Sequence, residues 1–247
     1  MVQKKYRIRR RYVPFYLLPV AMSLALLGPD FLRVTMYNDG VWYAAIARNL
    51  ADGIGAFWYP HLSRTIFPSF HEHPPLLFGL QALFFEVLGD SVATEKVYNL
   101  LVFLLSWWLI ARLWRFASHE AGPSVEQAET ANLWFIPVTL WLLNEATYIF
   151  YPNNLLEGTL TVFDLGAVLC LLRTAKPRLR RTDRWLLAAA GLFILAAFLT
   201  KGPVGLFPLA FFFLYWLIFR EISFPKMLRR TLFLLAVTAG GLGLLLL

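Results

Sequence analysis

Apolar runs of membrane-spanning length recur along this chain, and they limit its fold more than any other feature. A bilayer core offers no water to backbone amides, and roughly 20 apolar residues are needed to cross it as a helix. Runs of this kind fall near 13–27, 97–116, 131–150, 158–172, 185–199, 204–219 and 231–247. The expected fold is therefore an all-α, polytopic transmembrane helix bundle of about seven spans. Residues 1–247 form one transmembrane module in this reading, with a large first outer loop, 28–96, carrying short interfacial helices. The surface of a soluble domain of 247 residues could not accommodate a composition that is 59% hydrophobic and only 15% charged.

The charges between the runs set the orientation. The segment 76–88 is apolar but too short to span. If it stays on the outer face, 18 of the 23 lysines and arginines lie in the cytoplasm, whereas a crossing leaves only 8 there. The positive-inside rule selects the first arrangement, with 76–88 as a re-entrant or surface helix. Six basic residues precede the first run, which Pro14 and Pro19 punctuate, and no small-residue cleavage site follows it. It reads as an uncleaved span with a cytoplasmic N-terminus. The net charge of +8 comes from these short basic blocks, which excludes a nucleic-acid partner. The single cysteine, Cys170, sits in an apolar run, so there is no disulfide framework and no zinc signature.

One long polar interruption, 37–77, breaks the oily pattern. It places Asp39 among aromatics directly after the first span, and an ionisable group at a membrane boundary points to function. The following "VWYAAIARNL" has helical spacing, a short helix along the membrane surface with Asp39 at its N-terminal end. Two readings of Asp39 remain, a helix cap and a catalytic base.

"NDGVWYAAIARNLADG" and the closing "HEHPPL" resemble the first outward-facing loop of membrane glycosyltransferases with the GT-C fold. The similarity is to the superfamily of protein O-mannosyltransferases and aminoarabinose (lipid A) transferases. Asp39, Tyr43, Ala47, Arg48, His73, Pro74 and Pro75 match its pattern. Gly40 stands where Glu is usual, so that second carboxylate is absent. The resemblance implies an enzyme that transfers a hexose or pentose from a polyprenyl-phosphate sugar donor. The acceptor is a hydroxyl or phosphate on a glycan, lipid or protein, and the anomeric carbon is inverted. Its site faces the periplasmic or outer side of the cell inner membrane, among membrane lipids, without cofactor. Asp39 is the expected base, with Tyr43 and Arg48 among the substrate-binding residues.

Three further groups belong to the expected site. "YPNNLLEGTL" puts Asn153, Asn154 and Glu157 at the mouth of a span. An acid occupies this loop in the resembled family, which makes Glu157 a second catalytic candidate and Asn154 a substrate-binding one. Helix capping is the alternative for Glu157. Asp164 shares its helix face two turns deeper. His73 stands where relatives carry the Lys of Lys-Pro-Pro, facing the donor phosphate. "TKGPVG" sets Lys201 beside helix-breaking Gly202 and Pro203, which suits a phosphate, although a lysine there could also snorkel to lipid head groups. His71, Glu72 and His73 lack the spacing of a metal motif, and no metal is expected. Trp58 and Tyr59 serve either as interfacial anchors or as a surface for stacking a sugar.

Two rival functions are a lipid or sugar transporter and a non-catalytic subunit of the same fold. The second follows from the end of the chain within an apolar run, "GGLGLLLL", where relatives continue through further spans.

Overall fold

The computed structural model describes residues 12–120 and 130–247. The N-terminal basic block, used above to orient the chain, lies outside the described residues. The chain is nearly all-α, 76% of it helical. Three stretches among the described residues are long and apolar enough to cross a membrane: Val92–Ser118, Arg181–Phe219 and Phe224–Leu245. This is a multi-pass membrane protein.

Helix α1, Val13–Leu26, starts with a proline in its first turn, where the missing amide leaves no bond unmade. A short α2, Gly28–Leu32, leads into α3, Asn38–Ala51. A two-residue hairpin follows, β1 Gly55–Ala56 against β2 Tyr59–Pro60. Next comes α4, Leu76–Leu88, with the bounds read from the sequence. It packs along α3 and buries Leu77, Phe78, Gln81, Ala82 and Phe85. At 13 residues it is about 20 Å long, short of the roughly 30 Å hydrocarbon core.

Helix α5, Val92–Glu120, is the longest. The expected single span at 131–150 is instead divided, and this part of the reading is corrected. Helix α6, Phe135–Leu142, stops before Asn144, whose side chain caps α7, Glu145–Phe150, by accepting from the Ala146 amide at 3.0 Å. Asn144 and Glu145 supply a start signal inside an apolar run, and local capping wins there over continuation.

Helix α8, Leu156–Thr174, and α9, Arg181–Lys201, pack closely side by side. Gly202 then takes φ +65°, which ends α9 and starts a 3₁₀ segment, Gly202–Ala210. This segment folds back. A Cβ on Gly205 would lie 2.3 Å from the Ala197 carbonyl carbon, yet a continuous helix would separate residues 197 and 205 by about 12 Å. Helices α10, Phe211–Phe219, and α11, Phe224–Leu245, complete the described chain.

Two apolar cores result. One joins Leu27, Tyr43, Ile46, Phe70, Phe78 and Val102 under the polar loop, and the other joins α8 to α11 through Leu171, Ile194, Phe212 and Leu234. Cys170 is buried in the second. Tyr98 on α5 bonds Thr159 on α8, and Tyr151 in the turn ahead of α8 bonds Ser106 on α5, both at 2.8 Å. Such pairs satisfy buried hydroxyls that would otherwise destabilise the interface.

Candidate functional site

The turn that holds the site together is 151–155, between α7 and α8. The buried lysine Lys96 on α5 donates to the Pro152 carbonyl at 2.7 Å. Asn153 accepts from the Tyr37 amide at 3.0 Å, just ahead of α3. Asn154 adopts φ +58°, a left-handed conformation that Asn tolerates better than most residues. Its amide donates to the Gly40 carbonyl at 3.0 Å and to Gln81 on α4 at 3.3 Å, and Gln81 donates back to its oxygen. One dipeptide therefore fixes α3, α4 and the start of α8 against each other.

Asn154, expected among the substrate-binding residues, is held inside the fold by this arrangement. Its side chain has 0% exposure and its amide is fully engaged within the fold, so it positions the elements that carry the site. Gln81, also at 0%, was missed by sequence reasoning. The signal was present, since a lone glutamine inside apolar α4 must find a buried partner. Gly40 acquires a physical reason as well. A Cβ there would fall 1.8 Å from the Asn153 carbonyl oxygen, so the glutamate usual in the resembled family could not fit this packing.

Asp39 is in the first turn of α3, and Tyr37 rather than Asp39 is the cap residue. The capping reading of Asp39 is thus not met. Its carboxylate is exposed and has no hydrogen bond or ion pair with any described residue. One turn on, Tyr43 is buried against Phe70, Phe78 and the His73 ring, the last at 5.8 Å between centroids. Phe70 is itself locked under the loop, its amide bonded to the Pro60 carbonyl at 2.7 Å. Asn49 of α3 holds the same loop by donating to the carbonyls of His61 and Leu62 at 2.9 and 3.0 Å.

Around His73 the structure gathers charges from three distant parts of the chain. Burial first and Lys201 second push its imidazole below the ordinary value, while Glu72, Glu157 and Asp39 act the other way. Burial pushes the Tyr43 phenol strongly upward, and Asp39, Glu157 and Glu72 add to that shift. The two environments overlap, so Asp39, Tyr43, His73, Glu157 and Lys201 share one electrostatic neighbourhood. Lys201, at the end of α9, forms an ion pair with Glu157 in the first turn of α8, both side chains about one quarter exposed. Glu72, weighed in the sequence only as part of a metal motif, belongs to this group too.

Arg48 does not. It lies nine residues beyond Asp39, about 13 Å along α3, and faces Asp90 at 3.7 Å in an exposed pair. Arg48, expected in the substrate-binding set, is therefore not brought together with the charges around His73. Asp164 is buried at 8% exposure, about 10 Å below Glu157 along α8, with one oxygen lacking a partner. Among the described residues no group of three or more metal-ligating side chains converges.

No known family matches the sequence, and no curated protein matches it. A solved structure does: ArnT from Cupriavidus metallidurans in the apo state, at a TM-score of 0.59 and 20% identity. The match covers 93% of this chain and 41% of ArnT, so the chain spans well under half the length of that protein. ArnT is an aminoarabinose lipid A transferase, a GT-C enzyme. Over nearly its whole length, the chain thus has the GT-C fold found in ArnT.

Proposed function

We propose that this protein is a membrane glycosyltransferase that moves a sugar from a polyprenyl-phosphate donor to an acceptor on the outer face of the cell inner membrane, with inversion. The observation that carries this reading is the meeting, on a GT-C fold, of an unpaired exposed carboxylate, Asp39, with the Lys201 cation and the His73 imidazole.

Glycosyl transfer from a lipid phosphate needs a base for the acceptor and cations for the leaving group. Asp39 takes the proton of the acceptor hydroxyl as its oxygen attacks the anomeric carbon. The bond from that carbon to the phosphate oxygen breaks, and the electron pair leaves with the polyprenyl phosphate. Lys201 and His73 receive the negative charge. Glu157 aims Lys201 in the resting state, and the donor phosphate competes with Glu157 for it. A lipid carrier brings its phosphate to this depth, which a soluble nucleotide sugar does not. The acceptor class, whether glycan, lipid or protein, is set by groups beyond this cluster.

The test is donor binding. Lys201→Ala should weaken binding of a polyprenyl-phosphate sugar by about 1.5 to 3 kcal/mol, the value of a charge-assisted hydrogen bond. Glu157→Gln should bind donor at least as well as wild type, because it frees Lys201. Donor affinity that ignores Lys201→Ala and His73→Ala alike would return both residues to structural roles and remove the basis for the proposal.

His73 makes the binding depend on pH. The donor is a phosphodiester with no proton to lose near neutrality, so the imidazole is the group that titrates. Its pKa is lowered in the free protein and rises when a phosphate sits against it. Donor affinity should therefore increase as pH falls through the donor-bound pKa of His73 and level off below its lowered free-state value. His73→Lys should abolish that slope while preserving binding at high pH. An identical slope in His73→Lys would show that another group is responsible.

A further inference from the structure

Helices α1 and α2 are separated from α5 by an apolar groove of about 690 Å³ that shares none of its lining residues with the charged site described above. Leu24, Leu27, Phe103, Leu104, Trp107 and Ala111 are among its lining residues. Among the lining side chains only Ser23 and Arg115 carry a hydrogen-bonding or charged group other than an indole. The lining runs along α5 from Leu100 to Arg115, about 22 Å, which is most of the roughly 30 Å hydrocarbon core. Helix α1 takes its packing from α2 and α6, so the groove is a real gap between neighbours. Its volume lies in the range of sites that enclose a small molecule.

The end at Arg115 has its own chemistry. The guanidinium lies over the Trp134 ring at 5.3 Å, and Tyr16 stacks on the same ring at 5.2 Å. One turn back, Arg112 lies over Trp108 at 5.5 Å. Neither arginine has a carboxylate partner among the described residues. Two cations held by aromatic rings at the mouth of an apolar groove complement an anionic head group with a hydrocarbon tail.

We infer that this groove seats one acyl chain of an anionic glycerophospholipid, with its phosphate at Arg115 and Arg112. The occupant bridges α1 and α5 and supplies contacts that the protein leaves open. Donor lipid is the wrong occupant by position. Lys96, bonded to the turn beside Glu157, and Arg115 stand on one helix about 28 Å apart, so a phosphate held at Arg115 is a membrane thickness away from Asp39.

The experiment is lipid retention. The protein is reconstituted in nanodiscs of phosphatidylcholine and phosphatidylglycerol at three to one, passed into detergent, and its bound lipid counted by mass spectrometry. Wild type should retain phosphatidylglycerol well above its share of the mixture. Arg115→Gln should lower that enrichment about fivefold, the effect of one basic side chain on an anionic lipid. Leu104→Trp, at a lining position 51% exposed and thus free to take a larger ring, should fold normally and retain neither lipid. Equal retention of the two lipids by wild type, or enrichment unchanged in both variants, overturns the inference. Displacement of the retained lipid by added polyprenyl phosphate would overturn it too, since the groove would then belong to the donor.

Discussion

Asp39→Asn should leave a folded, donor-binding protein whose transfer rate is lower by about 10²- to 10⁴-fold, the usual contribution of a general base. The stability side follows from its surroundings. Asp39 is exposed and unpaired, and Tyr37 holds the cap position, so the substitution breaks no hydrogen bond. What is lost is the attraction of a first-turn carboxylate for the helix N-terminus, about 0.3 to 1 kcal/mol. A neutral amide of the same shape cannot accept the acceptor's proton, so the effect falls on the chemical step. The measurement is transfer of labelled sugar from a polyprenyl-phosphate donor, beside donor binding by the same preparation. Asp90→Asn is the matched control, an exposed acid paired only with Arg48. If Asp39→Asn works at the wild-type rate and Glu157→Gln is dead, the two acids exchange roles. If both variants remain active, neither acid is the base and the mechanism proposed for this site falls.

The parts of the fold legible in the sequence were those governed by hydrophobic length. The bounds of α4 matched the reading residue for residue, and α8 and α9 enclosed the runs 158–172 and 185–199, because apolar length and the breakers around it set where a helix runs. The break at Asn144 was hidden, since one capping side chain decides it inside an apolar run that length alone reads as continuous. Proximity of His73, Glu157 and Lys201 followed from placing 76–88 on the outer face, which puts their loops on one side. Arg48 sits in the matching motif, yet nine residues of helical rise carry it away from Asp39, a separation that the motif alone does not display. The placement of Asn154 was hidden for another reason. A polar residue at a helix mouth looks available to a ligand, and only packing reveals that it faces Gly40 and Gln81.

Gly40→Ala should be the most damaging single-methyl change in the site. The added carbon would lie 1.8 Å from the Asn153 carbonyl oxygen and 2.9 Å from its carbon, and these are backbone atoms that cannot rotate away. Relief requires α3 to move off the 151–155 turn, which would stretch the Asn154 bond to the Gly40 carbonyl and the Asn153 bond to the Tyr37 amide. Overpacking typically destabilises by 1 to 3 kcal/mol, so a loss of about 3 kcal/mol or more is expected here, read as a lower melting temperature in detergent. Transfer should fall as well, because the first turn of α3 carries Asp39 and loses its register against Glu157. Asn154→Gly separates the two effects. It retains the left-handed backbone at φ +58° but removes the amide, leaving the Gly40 carbonyl and Gln81 without partners, a loss of about 1 to 3 kcal/mol for each buried group. Val41→Ala, next along the helix at an exposed position, should change neither stability nor rate. A Gly40→Ala protein as stable and as active as the Val41→Ala control would mean that α3 does not dock on the turn in this way, and the placement of Asp39 beside Glu157 would fall with it.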